Sequence, residues 1–581
     1  WQEAKGLIEW KASLDSRSQS ALYSWVGSHH CTWEGISCDD AGSVTNITLF
    51  GLGLRGTLHS FNFSLFSNLL VLDLAGNELY GTIPPNIHNL SRLTYLDLCY
   101  NDLSGKVPAE MTMLTSLSSM FLCRSKLTDS IPISIGNLKN LIHLGIWGNQ
   151  LSGPIPSGIT LLPSLEWLDL SWNSLTGEVP ASIGNLRNLW HFQLGTNQLT
   201  GGIPDSVRNL TRLSYFNLAD NHFSGPVPPF IWNFTRLSKL FLSQNNLSGT
   251  VLPEIGQLKS LTLLNLFQNN LHGVLPREMN NLTGLVALFL GENNFTGHLP
   301  QDLCHGGSLK NITANNNYLS GPVPHGLRNC TSLIRVRLEW NSFTGDIAKS
   351  FGIYPQLDFI DLSFNNLYGK LSPNWGKCLN LKSLKMSNNN ISGEIPADLG
   401  SASQLRVINF ASNNLEGGIP KELGNLKFLY NLSLGNNHLS GILPIEIQKL
   451  SNLQGLNLTV NNLGGPIPKQ LGECSKLTQL ILSDNNFAEV IPMELGHLRA
   501  LEVLDDVLDP CLPLPKHQAA AGVVSITKLA FACLDNNPHL RPTMRQVSLR
   551  IAAQWPPLPK PFPTMIFEEL LPLTSDIESA A

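Results

Sequence analysis

The sequence is poor in charge and has no long apolar run. Asp, Glu, Lys and Arg together make up only 14% of the 581 residues, and the formal net charge is −5. A general nucleic-acid binder needs clustered Lys and Arg, and this chain has no basic stripe. A membrane-spanning helix needs a run of about 18 or more apolar residues, which is also missing. We therefore expect no nucleic-acid binding and no membrane contact from this chain.

A repeat of 24 residues takes up most of the chain. It is clearest at 165–180, where the sequence reads LEWLDLSWNSLTGEVP. One Asn recurs in phase at 17 of 18 positions from Asn77 to Asn485, and Ser125 is the exception. Gly follows four residues after the Asn in nearly every repeat, and Pro follows three residues after the Gly. No insertion shifts the phase from 69 to 501.

This period and the pattern L-x-x-L-x-L-x-x-N are the signature of a leucine-rich-repeat solenoid. Leucines alternating at period 2 predict a short strand with one apolar face, which a single repeat cannot bury. Neighbouring repeats must therefore stack, and their strands form one parallel sheet. We expect the buried Asn amide to bind backbone groups where the chain leaves the sheet. Gly permits the tight turn, and Pro fixes an extended flank.

Two further motifs lie before and within the repeat. Trp10 and Leu14 stand at helical spacing, and the segment CTWEGISC runs from Cys31 to Cys38. This region resembles the N-terminal cap of plant leucine-rich-repeat receptor kinases, and the Gly-Thr-Ile-Pro at 81–84 resembles their repeat class. The resemblance implies an α/β solenoid of the plant leucine-rich-repeat type, a right-handed superhelix with an N-terminal cap.

The cysteines fall into three groups. The resemblance implies a disulfide between Cys31 and Cys38 in the cap and another between Cys304 and Cys330, where related receptors often have a bridge. Cys99 and Cys123 occupy equivalent strand positions on adjacent repeats, on the side that we expect to face solvent. Strands about 4.8 Å apart fit the Cα separation of ~4.4–6.8 Å that a disulfide needs. A bridge and two free thiols both stay open for this pair. The remaining pair, Cys378 and Cys474, falls at core positions.

Acceptor sites of the form Asn-x-Ser/Thr occur 13 times. Such sites mark surface positions of secreted proteins. Five of them share one offset in the repeat: Asn89, Asn209, Asn233, Asn281 and Asn329. Together with the cysteine placement, they favour a secreted, glycosylated protein.

The repeat stops after residue 505. Beyond it, 523–547 resembles the last two helices of a receptor kinase C-terminal lobe, with Arg541-Pro542 matching the final conserved block. We therefore divide the chain into an N-terminal cap at 1–43, a solenoid of about 19 repeats at 44–505, and a small helical tail at 506–581, a kinase remnant that we expect to be mobile. Because no C-terminal cap is recognisable, we expect Leu477, Leu480 and Leu482 of the last repeats to face solvent.

The parts that phosphoryl transfer requires are absent from the sequence. A kinase needs a Gly-rich phosphate loop, a strand Lys, a catalytic Asp and a metal-binding Asp. The chain has no G-x-G-x-x-G followed by a Lys strand, no H-R-D and no D-F-G. We expect no enzymatic activity, cofactor or metal.

Aromatic and Arg side chains mark the candidate binding face. Solenoids bind through residues displayed between the leucines of the concave sheet, and aromatic residues and Arg dominate binding energy. One column holds His143, Trp167, His191 and Tyr215, with Trp147 and Trp172 close by and Phe241, Phe267 and Phe289 farther along. The two His side chains could sense pH, but we favour a packed aromatic column.

Arg335 and Arg337 match an Arg-x-Arg motif of the family's peptide receptors. The resemblance implies that they hold the C-terminal carboxylate of a small secreted peptide, a charge-assisted contact. The alternative is a structural salt ladder, because Asp361 and Lys385 follow at the same offset on the next repeats. Eight repeats separate Trp147 from Arg337, roughly 38 Å at ~4.8 Å each. An extended peptide needs about 12 residues to cover that distance.

These observations favour the ligand-recognition ectodomain of a receptor-like kinase. The family lies on the extracellular side of the plasma membrane, and we expect this chain to be secreted to the apoplast. Its expected partners are a secreted peptide and a leucine-rich-repeat co-receptor kinase. An inhibitor of cell-wall hydrolases and a full-length serine/threonine receptor kinase are the alternatives. The sequence does not identify the ligand.

Overall fold

The computed structural model describes residues 2–488 and 491–498, so the tail predicted at 506–581 lies outside the described residues. Two α-helices, Gln2–Ser13 and Ser16–Ala21, precede a sheet of 20 strands. The cap strand Ile36–Cys38 pairs antiparallel with Val44–Thr48, and the other 19 strands, one from each turn of the coil, are parallel. We call each turn a rung and this 20-stranded sheet the inner sheet. Its strands are Ile36–Cys38, Val44–Thr48, Val71–Asp73, Tyr95–Asp97, Ser119–Phe121, His143–Gly145, Trp167–Asp169, His191–Gln193, Tyr215–Asn217, Lys239–Phe241, Leu263–Asn265, Ala287–Phe289, Asn311–Thr313, Arg335–Arg337, Phe359–Asp361, Ser383–Lys385, Val407–Asn409, Asn431–Ser433, Gly455–Asn457 and Gln479–Ile481.

A second strand follows in each regular rung and pairs in parallel with its neighbours. These outer strands form groups of four, five and ten. They are Arg55–Gly56, Glu78–Thr82, Asp102–Lys106 and Lys126–Thr128; Ser152–Pro154, Ser174–Glu178, Gln198–Gly201, His222–Pro226 and Asn246–Ser248; and His272–Val274, Asn294–Gly297, Tyr318–Pro322, Ser342–Asp346, Asn366–Lys370, Asn390–Gly393, Asn414–Gly417, His438–Ile442, Asn462–Pro466 and Asn486–Ala488.

The flank after the outer strand is a 3-10 turn in most rungs, whereas the sequence suggested a plain extended segment. The repeat Pro stands immediately before the turn, and Pro84 has a φ of −71°. The turns are Phe63–Leu65, Pro85–Asn89, Ala109–Met113, Ile133–Asn137, Ser157–Leu161, Ile183–Asn185, Asp205–Asn209, Pro229–Asn233, Pro253–Gln257, Arg277–Asn281, His325–Asn329, Pro373–Lys377, Ala397–Ser401, Lys421–Asn425, Ile445–Lys449, Lys469–Glu473 and Met493–His497. A short α-helix, Ile347–Ser350, takes this place in one rung, and the cap has one further 3-10 turn at His30–Thr32.

The register of the inner sheet follows the 24-residue period. Across four successive rungs His143 pairs with Trp167, Trp167 with His191, and His191 with Tyr215. The leucines between the displayed residues are buried in one continuous core, and Leu144 and Leu168 are fully buried. The predicted leucine-rich-repeat solenoid is therefore confirmed.

The repeated Asn connects each rung to the rung before it. The amide nitrogen of Asn221 donates to the carbonyls of Leu194 (3.0 Å) on the preceding rung and of Leu218 and Ala219 on its own. Its Oδ1 accepts the backbone N–H of Leu199 at 3.0 Å. Every repeated Asn in the described residues binds the preceding rung through the same donor and acceptor. We call these residues the asparagine ladder.

The residue before each ladder Asn takes a left-handed backbone conformation. Its φ lies near +55°, even where the residue is as large as Trp172, Trp340 or Phe364. A left-handed conformation costs a non-glycine residue of order 1 kcal/mol or more. The neighbouring ladder bonds must therefore hold this turn in place.

Aromatic packing closes the N-terminal end of the solenoid. Trp10, which is fully buried, donates its indole N–H to the carbonyl of Thr57 (3.1 Å) and packs edge-on against Phe61. Trp25 lies between Trp10 and Trp33, with centroid distances of 6.2 and 5.7 Å. This cluster covers the apolar face of the first rung, as a solenoid cap must.

Three disulfides occur in the described residues. Cys31 is bonded to Cys38 with a Cα separation of 5.5 Å, and Cys304 is bonded to Cys330 at 5.8 Å, the two pairings that the family resemblance implied.

The third disulfide joins Cys99 to Cys123, with a Cα separation of 4.4 Å, and resolves the alternative left open by the sequence. Our expectation that this pair faces solvent was wrong. Both residues are only 4% exposed, because Phe121 and Trp147 pack against them in a small cluster separate from the leucine core. Their bridge spans the two rungs where the ladder is interrupted, at Ser125.

Two other expectations concern burial. Leu477, Leu480 and Leu482 are buried and do not face solvent, as are Phe487 and Leu498 later in the same rung. The core thiols Cys378 and Cys474 are free and buried, and burial raises the pKa of Cys474 to about 11. Both thiols are therefore unreactive at neutral pH.

Replacing one ladder residue tests its contribution to stability. Asn269→Ala leaves the carbonyls of Leu242, Leu266 and Phe267 and the N–H of Leu247 without their bonds. We expect a loss of about 2–4 kcal/mol, the cost of several buried unpaired groups, measured by urea unfolding followed by circular dichroism. Asn270→Ala is the matched control, since Asn270 is exposed. Equal unfolding midpoints for the two variants would contradict the assignment.

A double-mutant cycle tests whether the Cys99–Cys123 bridge compensates for the missing ladder Asn. Replacing both cysteines by Ser should cost about 2–4 kcal/mol of unfolding free energy in the wild type. The same replacement should cost less in a Ser125→Asn background, where an amide again links the rungs. An equal cost in both backgrounds would show that bridge and ladder are independent.

Candidate ligand-recognition face

The inner sheet displays two columns of side chains. In a typical inner strand such as His191–Gln193 the central residue is buried, while the first and third residues are partly exposed. Because the register is constant, first residues stack on first residues and third residues on third residues along the solenoid. All predicted ligand-binding residues lie on the inner sheet or at the edge that immediately follows it.

Seven rings from both columns make one continuous surface, which we call the aromatic strip. His191 stacks on Trp167 (centroids 5.0 Å apart) and on Tyr215 (4.4 Å), with nearly parallel planes. Tyr215 also contacts Phe241 at 5.5 Å. The members of the strip are Tyr95, Phe121, His143, Trp167, His191, Tyr215 and Phe241. The predicted column is thus part of a longer surface.

Gly145 explains why the strip crosses between columns. His143 does not stack on Trp167 but on Phe121, and Phe121 meets Trp167 edge-on at 5.8 Å. A Cβ at Gly145 would lie 2.9 Å from both Phe121 and Trp167. The missing side chain therefore makes room for these two rings. Tyr95 and Phe121 escaped the sequence interpretation because this diagonal contact depends on a glycine.

The remaining predicted aromatic residues lie outside the strip. Trp147 packs against Tyr100 (5.8 Å), and the guanidinium of Arg124 lies over its ring. Trp172 is 59% exposed at the edge of the sheet. Phe267 and Phe289 are partly exposed farther along and form no ring contact among the described residues.

His191 is neutral over the physiological pH range. Burial between Trp167 and Tyr215 lowers the pKa of His191 to about 4. Its Nε2 is buried and has no hydrogen-bond partner among the described residues. This agrees with a packing role. His143 differs, since its Nδ1 lies 3.0 Å from the Ser119 hydroxyl.

Asp169 is a buried carboxyl group on the same strand as Trp167. Its Oδ1 accepts the backbone N–H (2.9 Å) and the hydroxyl (2.6 Å) of Ser171, whose hydroxyl oxygen also accepts the side-chain amide of Gln193. Burial raises the pKa of Asp169 to about 6, and the Ser171 bonds oppose this shift. No pattern in the sequence singled this residue out.

The Arg-x-Arg strand is held by residues that sequence reasoning missed. Arg337 donates its Nε to Oε1 of the buried Glu339 at 2.8 Å, and its Nη2 binds the same oxygen. The guanidinium of Arg335 lies over the Phe359 ring, 4.0 Å from the centroid. Arg335 is exposed and forms no salt bridge with any described carboxylate.

The salt ladder of Arg337, Asp361 and Lys385, which was the alternative to carboxylate binding, is only partly present. Asp361 pairs with Lys385 (3.7 Å), and Arg337 pairs with Glu339 within its own rung. Burial raises the pKa of Glu339, and the nearby Asp361 adds to the shift. Arg335 stays outside these pairs.

The five acceptor asparagines are found on the flank of the solenoid. Each is the last residue of a 3-10 turn, at Asn89, Asn209, Asn233, Asn281 and Asn329. Asn89 is partly buried and donates to the Ser64 hydroxyl at 3.0 Å, while the other four lie at the surface of the flank. Glycans at these positions would leave the inner sheet uncovered.

His191 and Asp169 predict opposite pH dependences of stability. Between about pH 4 and 6.5, His191 is protonated in the unfolded chain but neutral in the folded chain. Acidification therefore destabilises the fold. Between about pH 4 and 6, Asp169 is protonated in the folded chain but ionised in the unfolded chain. A rising pH therefore destabilises the fold. Each effect is about 3 kcal/mol or less, at about 1.4 kcal/mol per pKa unit.

Thermal unfolding at about pH 4, 5.5 and 7 separates the two effects. Relative to the wild type, His191→Phe should gain stability as the pH falls, and Asp169→Asn should gain stability as the pH rises. His438→Gln, in an exposed histidine of an outer strand, is the control. Parallel pH profiles for all four proteins would contradict both assignments.

Comparison with known families supports the repeat and the cap. The leucine rich repeat N-terminal domain matches residues 2–39. The Leucine Rich Repeat family matches nine segments, at 68–90, 92–114, 164–186, 212–234, 236–258, 380–402, 404–426, 428–450 and 476–498. No helix among the described residues has the length and apolar character needed to cross a bilayer.

Curated relatives match short stretches of the chain. A probable leucine-rich repeat receptor-like protein kinase of Arabidopsis thaliana is 40% identical over 94 residues, which are 15% of this chain and 8% of that protein. MDIS1-interacting receptor like kinase 2 of the same plant is 39% identical over 89 residues, 14% of this chain and 8% of that protein. The chain thus matches under a tenth of the length of each relative.

Solved structures match most of the chain. The Arabidopsis receptor kinase HAESA, in complex with the peptide hormone IDA and the co-receptor SERK1, is 33% identical with a TM-score of 0.76. The match covers 87% of this chain and 93% of that one. The PEPR1–AtPEP1 structure is 28% identical with a TM-score of 0.71, covering 89% and 82%. The chain therefore belongs to the leucine-rich-repeat receptor kinases of plants and has the fold of their ectodomains.

Proposed function

We propose that this chain recognises a secreted peptide on its inner sheet, outside the cell, and carries out no catalysis itself. The observation behind the proposal is that one face holds both the aromatic strip and Arg335, an exposed guanidinium without a carboxylate partner among the described residues. Aromatic rings and Arg are the side chains that supply most binding energy at interfaces. HAESA, which has the same fold, was solved with a peptide hormone, and this supports the same class of ligand.

Arg335 is the main contact for the peptide's C-terminal carboxylate in this proposal. Its guanidinium lies over the Phe359 ring at 4.0 Å and forms no salt bridge with a described carboxylate, so its N–H groups can meet a ligand carboxylate in a bidentate manner. Arg337 has two of its N–H groups committed to Glu339 and supplies a secondary contact through the rest of its fork. Glu339 thus orients Arg337.

The peptide lies extended along the inner sheet. Eight rungs separate Trp147 from Arg337, roughly 38 Å at ~4.8 Å per rung. This corresponds to about 12 residues at ~3.3 Å each. A co-receptor of the same repeat class is the second partner we propose, since HAESA was solved together with SERK1.

A random peptide library tests carboxylate recognition while the natural ligand is unidentified. The immobilised ectodomain is offered a 12-residue library made once with free C-termini and once with C-terminal amides. We expect the wild type to retain free-acid peptides roughly 10- to 100-fold better, the range for a charged hydrogen-bonded contact. Arg335→Ala should lose most of this preference and Arg337→Ala a smaller part.

Arg277→Ala is the control, because Arg277 is highly exposed on the flank, away from the inner sheet. It should preserve the preference for free acids. Equal retention of acids and amides by the wild type would overturn the carboxylate assignment, as would an unchanged preference in the Arg335→Ala variant.

A further inference from the structure

Two stretches of the inner face differ in charge, and the three rungs between them carry one cation, Lys239, and one carboxylate, Glu292. Counting from the residue before each inner strand to the residue before the ladder position, the first seven regular rungs carry five carboxylates and one cation. The carboxylates are Asp73, Asp97, Glu166, Asp169 and Asp220, and the cation is Arg124. Five rungs from the strand Asn311–Thr313 onward carry six cations, at Lys310, Arg335, Arg337, Lys382, Lys385 and Arg406.

Half of these six cations are neutralised internally. Arg337 binds Glu339, Lys382 lies 3.6 Å from Asp358, and Lys385 lies 3.7 Å from Asp361. The other three, Lys310, Arg335 and Arg406, are exposed and form no salt bridge with the described residues. This end therefore offers net positive charge to a ligand.

At the acidic end, Asp169 is the carboxylate best placed to bind a ligand. It is only 6% exposed, no described residue donates a hydrogen bond to its Oδ2, and this oxygen is not fully enclosed by the described residues. Ser171 fixes the other oxygen, so the carboxyl group is already oriented. Burying a charge without a partner is costly, and an incoming cation would offset that cost.

The rings beside Asp169 suit a cation as well. Trp167 lies on the same strand and face, and His191 stacks on it at 5.0 Å with the planes within 20° of parallel. Tyr215 continues the stack and has the Lys239 ammonium over its ring at 6.0 Å, whereas His191 beside Trp167 is neutral at physiological pH. Aromatic faces attract guanidinium and ammonium groups, more strongly where water is partly excluded.

We propose that the inner sheet selects peptides carrying a cationic group about ten residues before the C-terminal carboxylate, and that Asp169, beside Trp167 and His191, binds this group. The inference rests on the proposed function, because the carboxylate at Arg335 sets the register. Seven rungs separate the Asp169 strand from the Arg335 strand, roughly 34 Å at ~4.8 Å each. At ~3.3 Å per residue this corresponds to about ten residues.

The opposed charges also fix the direction of the peptide. A chain with a cation near its start and a carboxylate at its end is attracted in one orientation and repelled in the other. A Lys or Arg side chain and the peptide's own N-terminal amine both supply a cation at the required distance. Acetylating the N-terminus separates these two sources.

Positional scanning of the free-acid library tests the proposal. Each pool fixes one position as Lys, Arg, Ala or Glu, and retained peptides are sequenced; a second set is N-acetylated. For the wild type we expect Lys or Arg to be enriched at least about tenfold over Glu in the first three positions. If acetylation abolishes retention without side-chain enrichment, the cation is the N-terminal amine, which the proposal also allows.

Two variants separate this proposal from the carboxylate assignment. Asp169→Asn keeps the shape and the Ser171 contact and should erase the N-terminal preference for cations while preserving the preference for free acids. Arg335→Ala should do the reverse. Glu178→Gln, in an exposed outer-strand carboxylate, should behave as the wild type. Folding of each variant is checked by thermal unfolding.

Three outcomes would overturn the proposal. The first is a preference for free acids without a preference for cations in the first three positions or at the N-terminal amine. The second is a cation preference that survives Asp169→Asn in a folded protein. The third is retention of no peptide at all, which would overturn the proposed function as well.

Discussion

The structure depends on one hydrogen-bonded amide repeated along the chain. Each ladder Asn donates to carbonyls of two rungs and accepts an N–H from the preceding rung, as Asn221 does with Leu194 and Leu199. These groups are buried where the backbone leaves the sheet, so leaving them unpaired would be costly. The ladder therefore fixes the spacing and register of the rungs, while the leucines supply most of the hydrophobic stabilisation. It also holds the left-handed residue before each Asn, which by itself is unfavourable.

Regular spacing turns a linear sequence into a recognition surface. Side chains 24 residues apart become neighbours, so one column collects Trp167, His191 and Tyr215 into a stack. The same rule places acidic residues near one end of the face and unpaired cations near the other. An extended peptide of about ten residues is long enough to reach from Asp169 to Arg335. The fold provides a scaffold for this arrangement, and the particular residues on it decide what binds.

Features that recur every 24 residues were predictable from the sequence. Contacts between residues at different positions of the repeat were not. The period located the core, the ladder and the column from His143 to Tyr215, and the family resemblance supplied the cap and two disulfides. Neither the period nor the resemblance revealed that Phe121 joins the stack, because that contact requires the space left by Gly145. Glu339 was missed for a similar reason: its offset is usually filled by small residues, and only the folded rung brings it under Arg337. Cys99 and Cys123 were expected to face solvent, but Phe121 and Trp147 pack against them and bury them, a contact that the repeat period does not show.

Hydrogen exchange at three equivalent backbone amides is the most direct test of whether the asparagine ladder governs the register of the rungs. The backbone N–H groups of Leu79 and Leu127 donate to Asn101 and Asn149, at 3.0 and 3.1 Å. For Leu103 the ladder position is Ser125, whose hydroxyl donates to the Asn101 carbonyl. We predict that the Leu103 amide exchanges about tenfold faster than the other two, because it lacks the amide acceptor. Equal exchange at all three amides would show that the asparagine ladder is not what holds the rungs together.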